Sequence, residues 1–258
     1  MKNFYWKTLG HGNINLIILN GWGFDSNIWL LISQKLSMYF KVHLIDFPGI
    51  GVNKKLRPVN IQSIIQILNF YMPKNSIYLG WSLGGLIAIQ FALSYPKKIL
   101  GLINICSSPY FIKKNNWPGI EKKKIYHFYH DLKNNYFSTL NNFLSLHTLD
   151  SEKYLNDLTI LKKILFQKKN IPNQEILKNG LKMILSVDLR HKISQIKIPF
   201  LRIYGDLDNL VPKEVVKLID IICPNSESII IEKSRHIPFI SHKKNFFSIL
   251  FKYFNKII

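Results

Sequence analysis

An apolar strand that runs directly into a glycine-flanked serine constrains this chain more than any other feature of its sequence. Residues 76–85 read Ser-Ile-Tyr-Leu-Gly-Trp-Ser-Leu-Gly-Gly, and a helical pattern follows. Glycines at positions 80 and 84 let neighbouring backbone approach the turn, which holds Ser82 in a strained conformation. The pattern therefore predicts a strand, a sharp turn and a helix, with the Ser82 hydroxyl projecting above the edge of a sheet.

Ser82 has two interpretations. A serine that precedes a helix is often a simple N-cap. The strand before it and the helix after it instead favour a catalytic nucleophile, because the helix N-terminus stabilises the negative charge that develops during its reaction. We therefore predict that Ser82 is a nucleophile.

The rest of the chain alternates strand-like apolar runs with helical segments, which indicates an α/β fold with a mostly parallel central sheet flanked by helices. The predicted strands are Phe4–Thr8, Ile14–Leu19, Lys41–Ile45, Ser76–Leu79, Ile99–Ile105, Phe200–Tyr204 and Ser228–Ile231. The predicted helices between and after them are Asn27–Leu36, Ile61–Tyr71, Gly85–Ser94, Pro212–Ile222 and Lys243–Tyr253.

One stretch departs from this alternation. From about Trp117 to Val187 there is no convincing strand, only amphipathic helical segments with breaks at Asn134–Asn135, Asp150–Ser151 and Ile171–Asn173. We therefore expect a core formed by residues 1–109 and 188–258, and an inserted all-helical lid formed by residues 110–187.

Composition excludes several classes of protein. With 258 residues and 47% hydrophobic content the chain can build a large core. No apolar run approaches the roughly 20 residues that span a bilayer, and the N-terminus lacks the apolar segment of a signal peptide, so we expect a cytoplasmic protein without a membrane partner. The cysteines Cys106 and Cys223 lack metal-binding spacing, and we expect both to be reduced core residues.

The formal net charge of +20 raises the question of nucleic-acid binding. The lysines are spread along the chain with only short clusters such as Lys122–Lys124, and no motif interleaves basic with aromatic residues. The joint abundance of Ile, Asn and Lys is what an AT-rich coding sequence produces. We therefore expect no nucleic-acid partner, although such a field would attract an acidic protein.

A nucleophilic serine needs a base beside it and a carboxylate that orients the base, and after a turn of this kind they follow in that chain order: acid, then histidine. Asp206 and Asp208 both follow the predicted strand Phe200–Tyr204. Asp208 is preferred because it lies deeper in the loop and precedes a helix start, whereas Asp206 resembles a turn residue beside Gly205.

His236 is the predicted base because it follows the last predicted strand and precedes the final helix. The competing histidines fit less well. His242 resembles a surface residue at a helix start, His43 and His191 lie away from the required loop, and His11 precedes the first core strand.

An oxyanion hole needs two backbone N–H donors. Leu83, directly after the nucleophile, is predicted to supply one of them. The loop Asn20–Gly23 is predicted to supply the other from Trp22, whose ring can still pack in the core.

Several stretches of the sequence match one family. They are Gly21–Gly23, Gly80–Gly85, Ser107–Pro109, Trp117–Ile120, Val187–Arg190, Pro199–Arg202 and His236–His242. Together they resemble the pimeloyl-acyl-carrier-protein methyl ester esterases of biotin synthesis, and the resemblance runs through nearly the whole chain. The Gly-x-Ser-x-Gly turn alone fits many hydrolases, whereas Trp-Pro-Gly-Ile and Pro-Phe-Ile-Ser-His are much narrower signals.

The resemblance implies an α/β-hydrolase fold and a serine carboxylesterase that releases methanol from pimeloyl-acyl-carrier-protein methyl ester. It implies the triad Ser82, Asp208 and His236, with no metal or organic cofactor and an acidic acyl-carrier protein as partner. We expect a monomer. The implied substrate contacts are Trp22, Ser82, Leu83, Phe143, Leu144, Ser145, Leu146, His147 and His236. The lid lysines expected to dock the carrier are Lys133, Lys153, Lys162 and Lys163.

The chain departs from the family pattern in two places. Asn20 stands where the family usually has a histidine before the oxyanion loop. The lid positions at which relatives carry carrier-docking arginines hold Ser138, Asn142, Leu155 and Thr159. Lysines elsewhere would have to compensate, and lysine does not reproduce the two-pronged contact of arginine.

Other functions remain open at this stage. A general short-chain esterase, a thioesterase or a C–C bond hydrolase would use the same triad. A non-catalytic binding protein with a decayed site would keep the fold without the activity, although Ser82, Asp208 and His236 form a complete set.

Overall fold

The computed structural model describes residues 4–57, 59–148, 154–166 and 174–258. Its strands are β1 (Trp6–Leu9), β2 (Asn15–Leu19), β3 (Lys41–Ile45), β4 (Ser76–Trp81), β5 (Ile99–Ile105), β6 (Phe200–Gly205) and β7 (Glu227–Ile231). Within the described residues they form one sheet in the order β1-β3-β2-β4-β5-β6-β7. All neighbouring pairs are parallel except β1 with β3, which is antiparallel. The predicted α/β class with a mostly parallel sheet is therefore confirmed.

The helices lie in the intervals between the strands and after the last one. They are α1 (Leu30–Leu36), α2 (Ile61–Tyr71), α3 (Leu83–Ser94), α4 (Lys122–Asn134), α5 (Tyr136–Leu146), α6 (Tyr154–Leu165), α7 (Gln174–Ser186), α8 (Glu214–Ile222), α9 (Pro238–Ser241) and α10 (Lys243–Ile257). The predicted helix Asn27–Leu36 differs in detail: the segment starts as a 3-10 turn, Ser26–Trp29, and Asp25 caps this turn by accepting the N–H of Asn27. The short helix α9 was not predicted.

The central strands are buried on both faces. The side chains of Leu16–Leu19 on β2 and Ile77–Leu79 on β4 are fully covered, as in parallel sheets with helices on both sides. Helix α3 follows β4 and is buried over most of its circumference, because it packs on the sheet and is covered in turn by other elements; Gln90 and Ser94 form its polar side. These buried elements give the turn at Ser82 a rigid base.

Helices α4 to α7 lie between β5 and β6 in the chain. The predicted break at Asn134–Asn135 is where α4 ends and α5 begins, while the breaks at Asp150–Ser151 and Ile171–Asn173 lie outside the described residues. The assignment of residues 110–187 as a lid stays a prediction. No helix in the described part of the chain has the length and apolarity that crossing a membrane requires.

Candidate active site

Ser82 occupies the turn between β4 and α3. Its backbone has φ 54° and ψ −120°, a conformation that costs a non-glycine residue free energy and must be held by its surroundings. The Ser82 N–H donates to the carbonyl of Ile105 at 2.9 Å, and the Ser107 hydroxyl donates to the Ser82 carbonyl at 2.7 Å. The end of β5 therefore fixes the turn from the side.

Two glycines make this turn possible. A Cβ on Gly84 would lie 2.5 Å from the carbonyl oxygens of Leu19 and Asn20, so the first turn of α3 packs directly on the end of β2. A Cβ on Gly80 would collide with the backbone of Gly84. Close backbone approach, inferred from the Gly-x-Ser-x-Gly pattern, is thus the physical reason for both glycines.

The loops after β6 and β7 bring Asp208 and His236 together. The Nδ1 atom of His236 lies 2.7 Å from Oδ2 of Asp208, and both side chains are almost completely buried. The other carboxylate oxygen, Oδ1, accepts the backbone N–H groups of Leu210 at 2.8 Å and Val211 at 3.1 Å. Because the carboxylate accepts a hydrogen bond from Nδ1–H, the Nε2 atom of a neutral His236 is left as a proton acceptor.

Asp206, the competing acid, lies elsewhere in the same loop. Its backbone N–H donates to the carbonyl of Ile231, at the end of β7. In the part of the chain that the structure describes, the carboxylate that contacts the His236 ring is that of Asp208. The structure therefore brings His236 to Asp208 and not to Asp206.

Trp81, the neighbour of Ser82, connects the nucleophile turn to the histidine loop. Its indole N–H donates to the carbonyl of His236 at 2.7 Å, and the two rings lie 5.6 Å apart. No hydrogen bond joins the Ser82 hydroxyl to His236 among the described residues. In unliganded sites this bond is commonly long and tightens once substrate is bound.

The predicted oxyanion donors lie on elements that meet at one edge of the sheet. Leu83 is the first residue of α3, so its N–H has no acceptor within the helix. Trp22 is the first central residue of a turn closed by the Phe24 N–H and the Gly21 carbonyl at 3.4 Å, with Gly23 at φ 80°. A turn of this type leaves the N–H of its first central residue unused.

Asn20, which replaces the family's histidine, supports the same loop. Its amide nitrogen donates to the carbonyl of Ile45 at 2.8 Å, and its oxygen accepts the indole N–H of Trp29 at 2.9 Å. The side chain is fully buried. The substitution therefore keeps the end of β2 tied to the end of β3, beneath the Trp22 loop.

The Trp22 ring packs against the helices of residues 110–187. Its indole N–H donates to the carbonyl of Leu177 at 2.9 Å, and its ring meets Phe128 and Phe143 edge to face at 5.4 and 4.9 Å. A Cβ on Gly180 of α7 would lie 2.5 Å from the indole ring. The ring thus joins the core to the helical insertion, while the turn described above leaves the Trp22 backbone N–H unused.

The predicted contacts at 143–146 divide into three environments, and His147 lies in a fourth. Phe143 and Leu146 line the cavity that Ser82 also lines. Leu144 is fully buried, and the Ser145 hydroxyl donates back to the carbonyl of Asn141 on its own helix at 3.1 Å. Residues in a helix point in different directions, so a run of five cannot all face one cavity.

His147 lies against His236. The two ring centroids are 5.1 Å apart, and Nδ1 of His147 is 2.8 Å from the carbonyl of Phe143, which requires a proton on that nitrogen. Burial, followed by the charge of a protonated His236, lowers the pKa of His147 to about 3. His147 is therefore neutral at physiological pH and adds no charge that would oppose protonation of His236.

Ser82 and Trp22 line a cavity of about 560 Å³. Its apolar walls include Phe111, Ile120, Ile125, Phe128, Phe143, Leu146, Leu181, Ile184 and Leu210. Most of these residues were not predicted as site residues. A signal was present in the helices, because Ile125 with Phe128 and Leu181 with Ile184 are apolar pairs three residues apart, on one helix face.

Cys106 lies close to the acid and the base. Its sulfur lies within 4.8 Å of ligand atoms of Asp208 and His236, an arrangement compatible with a metal ion by distance alone. Burial, and then the charge of Asp208, raise the pKa of the Cys106 thiol, which keeps it protonated, whereas metal binding needs the thiolate. The geometry favours a carboxylate–imidazole pair over a metal site.

Two carboxylates, Asp25 and Asp46, lie close to the Trp22 loop. The Asp46 carboxylate accepts the N–H groups of Ser26 at 2.6 Å and Val52 at 2.9 Å. Burial, and then repulsion from Asp46, raise the pKa of Asp25 to about 6, although its bonds to Asn27 work in the opposite direction. Folding therefore disfavours the charged form of Asp25, so the contribution of this group to stability falls as the pH rises from about 4 to about 6.

We predict that Asp25→Asn raises the free energy of unfolding by about 1–2 kcal/mol above pH 7 and leaves it nearly unchanged near pH 3, where Asp25 is mostly protonated in both states. Asparagine keeps the cap on the N–H of Asn27 and removes the repulsion. Urea unfolding of both proteins at the two pH values measures the difference. Equal destabilisation at both values would contradict the assigned cause.

Comparison with known proteins gives results consistent with this geometry. The family model described as alpha/beta hydrolase fold matches residues 14–243. A pimeloyl-[acyl-carrier protein] methyl ester esterase of Yersinia pseudotuberculosis serotype IB (strain PB1/+) is 37% identical over 253 residues, which cover 98% of each chain. A protein of Yersinia pestis with the same name has the same identity and coverage.

Solved structures are similar in fold at much lower identity. An esterase from Exiguobacterium antarcticum has a TM-score of 0.85 at 19% identity and covers 96% of this chain and 94% of its own. A bromoperoxidase from Bacillus anthracis has a TM-score of 0.86 at 20% identity, with 97% and 95% coverage. Because these likenesses lie under 25% identity, they bear on the fold alone.

Proposed function

Because this chain belongs to the pimeloyl-[acyl-carrier protein] methyl ester esterase family of α/β hydrolases and is a carboxylic ester hydrolase, we propose that it hydrolyses the methyl ester of pimeloyl-acyl-carrier protein in biotin synthesis. The products are methanol and pimeloyl-acyl-carrier protein. The observation that carries the proposal is the 37% identity over nearly the full length of both chains.

The first half of the proposed reaction transfers the acyl group to Ser82. His236 takes the proton of the Ser82 hydroxyl through Nε2 as the oxygen attacks the ester carbonyl, while Asp208 holds the imidazole through Nδ1. The N–H groups of Trp22 and Leu83 stabilise the negative oxygen of the tetrahedral intermediate. Protonated His236 then gives its proton to the methoxide oxygen, and methanol leaves.

The second half returns the enzyme to its resting state. His236 takes a proton from water, whose oxygen attacks the acyl carbonyl on Ser82. The intermediate collapses, the Ser82 oxygen receives the proton from His236, and the carboxylic acid is released. His147 supports both halves by remaining neutral beside His236.

The cavity suits an aliphatic acyl chain. Phe128 and Phe143 supply aromatic walls, and Leu181 and Ile184 supply aliphatic ones. Each methylene of the substrate that is buried against such walls contributes on the order of 0.8 kcal/mol. We propose that residues 110–187 act as a lid over this chain, because α4, α5 and α7 all contribute walls.

We expect kcat/KM for carrier-bound pimeloyl methyl ester to exceed that for methyl butyrate by at least about tenfold, because binding energy from remote parts of a substrate lowers the barrier at the reacting bond. Methanol release measures both reactions, and dimethyl pimelate separates the contribution of the acyl chain from that of the carrier. Faster hydrolysis of methyl butyrate would contradict the proposed substrate and favour a general short-chain esterase.

A further inference from the structure

Exposed lysines gather beside the cavity that Ser82 lines. Lys113 and Lys114 lie in the loop after β5, and Lys122–Lys124 form the first turn of α4. Two of them, Lys113 and Lys124, belong to the cavity lining itself. We call these five lysines the basic rim.

Backbone contacts fix the loop that carries two of the five rim lysines, Lys113 and Lys114. The N–H of Lys113 donates to the carbonyl of Ile120 at 2.9 Å, and Lys114 and Trp117 exchange backbone hydrogen bonds at 3.1 and 2.7 Å. The indole N–H of Trp117 donates to the carbonyl of Tyr110 at 2.9 Å. The lysines are therefore presented on an ordered support, which lowers the entropic cost of binding a partner.

The charge of the basic rim is largely uncompensated. Between residues 110 and 124 the sequence holds five lysines and one acid, Glu121, which pairs with Lys123 at 3.3 Å. The nearby Arg190 is neutralised by Asp188 at 2.6 Å and stacks over Tyr110. The positive field at the mouth of the cavity therefore comes from the lysines.

The family's docking positions in this chain carry no charge. Ser138, Asn142, Leu155 and Thr159 are all exposed, and Leu155 is 74% exposed. Among the lysines expected from the sequence, Lys133 on α4 and Lys162 and Lys163 on α6 are exposed and do not line the cavity, while Lys153 lies outside the described residues. An acidic partner therefore meets more positive charge at the basic rim than at the four uncharged lid positions.

We propose that the acidic acyl-carrier protein docks on the basic rim, with Lys113 and Lys124 nearest the phosphate of its prosthetic arm. This inference rests on the proposed function. It places the carrier at the cavity mouth, so that the arm enters beside Gly119 and Ile120 and its acyl end reaches Ser82. Attraction between the lysines of the basic rim and an acidic carrier protein accelerates the encounter of the two proteins and fixes the orientation of docking.

The test is a charge reversal at two rim lysines that do not line the cavity, Lys114→Glu with Lys122→Glu. We expect kcat/KM for carrier-bound pimeloyl methyl ester to fall about tenfold or more, chiefly through KM, and the value for dimethyl pimelate to change less than about twofold. Added salt should narrow the difference between variant and parent on the carrier substrate. Thermal unfolding checks that the double variant folds as the parent protein does.

Two further double substitutions serve for comparison. Lys217→Glu with Lys252→Glu makes the same charge change on exposed sites of α8 and α10, and should leave the carrier reaction within about threefold of the parent. Lys162→Glu with Lys163→Glu tests the alternative surface on α6. The basic rim is ruled out if its variant behaves like the α8 and α10 control, or if the α6 pair causes the larger loss.

The outcomes also separate this inference from the proposed function. A parent protein that hydrolyses dimethyl pimelate but not the carrier-bound ester contradicts both. A parent protein that hydrolyses the carrier-bound ester, with a rim variant that matches the control, leaves the proposed function standing and overturns only the docking surface.

Discussion

Ser82→Ala is expected to lower kcat for ester hydrolysis by on the order of 10⁴-fold or more, because the remaining binding and oxyanion groups cannot replace the nucleophile. Alanine keeps the Cβ that already occupies the backbone conformation at φ 54°, so the turn should persist. Steady-state turnover of pimeloyl-carrier methyl ester measures the loss, and the thermal unfolding midpoint should move little.

A matched control is available at the other end of the same helix. Ser94 is the exposed last residue of α3, and Ser94→Ala should leave turnover within about twofold of the parent, since surface substitutions away from a site change little. Labelling with a fluorophosphonate probe adds a second readout, because only an activated serine reacts. Full turnover or full labelling of Ser82→Ala would show that another group attacks the ester.

Asp208→Asn carries the second large effect, a loss in kcat on the order of 10⁴-fold. Oδ2 of Asp208 accepts a hydrogen bond from the Nδ1–H group of His236, and an amide nitrogen in its place cannot accept one. The imidazole then shifts its proton to Nε2 or turns away, and in either case it cannot take the proton of Ser82. The amide oxygen can still accept from Leu210 and Val211, so the loop should keep its shape.

Asp206→Asn is the matched control for this substitution, two residues away in the same loop. We expect it to change kcat less than about threefold, because the His236 ring is held by Asp208 and not by Asp206. The two variants are compared by turnover and by thermal unfolding. A larger loss for Asp206→Asn would reverse the assignment of the acid.

The strands and the turn at Ser82 could be predicted because their signals are local. A fully buried strand is a continuous apolar run, as in β4, and the glycines at 80 and 84 mark a backbone approach that only glycine allows. The order of the strands is not local. Nothing in the pattern of residues 6–9 shows that β1 lies beside β3 and runs antiparallel to it.

The surroundings of the site were harder to predict because they depend on which way helices face. The run 143–147 was treated as one contact surface, yet Leu144 points into the protein interior while Phe143 and Leu146 reach the cavity. The choice between Asp206 and Asp208 rested on their position in a loop. The structure adds the physical basis for the choice, two backbone N–H groups that hold one carboxylate against His236. The roles of all these residues stay predictions.

The interpretation of the charge also changes with the structure. The lysines are spread along the sequence, but folding places Lys113 and Lys124 in the lining of one cavity, with Lys114, Lys122 and Lys123 next to them in the chain. In the sequence, residues 115–121 separate Lys113 and Lys114 from Lys122–Lys124. A local surface of one sign can therefore form in a chain whose lysines are spread along the whole sequence.

The most direct test of the proposed activity is to identify which bond of the carrier-bound substrate is broken. Pimeloyl-carrier methyl ester has two reactive acyl bonds, the methyl ester at one end and the thioester to the carrier at the other. Mass spectrometry of the carrier after incubation with the parent protein should show loss of the methyl group with the acyl chain still attached, and no change with Ser82→Ala. Release of the whole acyl chain to leave a free carrier thiol, with the methyl ester intact, would contradict the proposal and show a thioesterase.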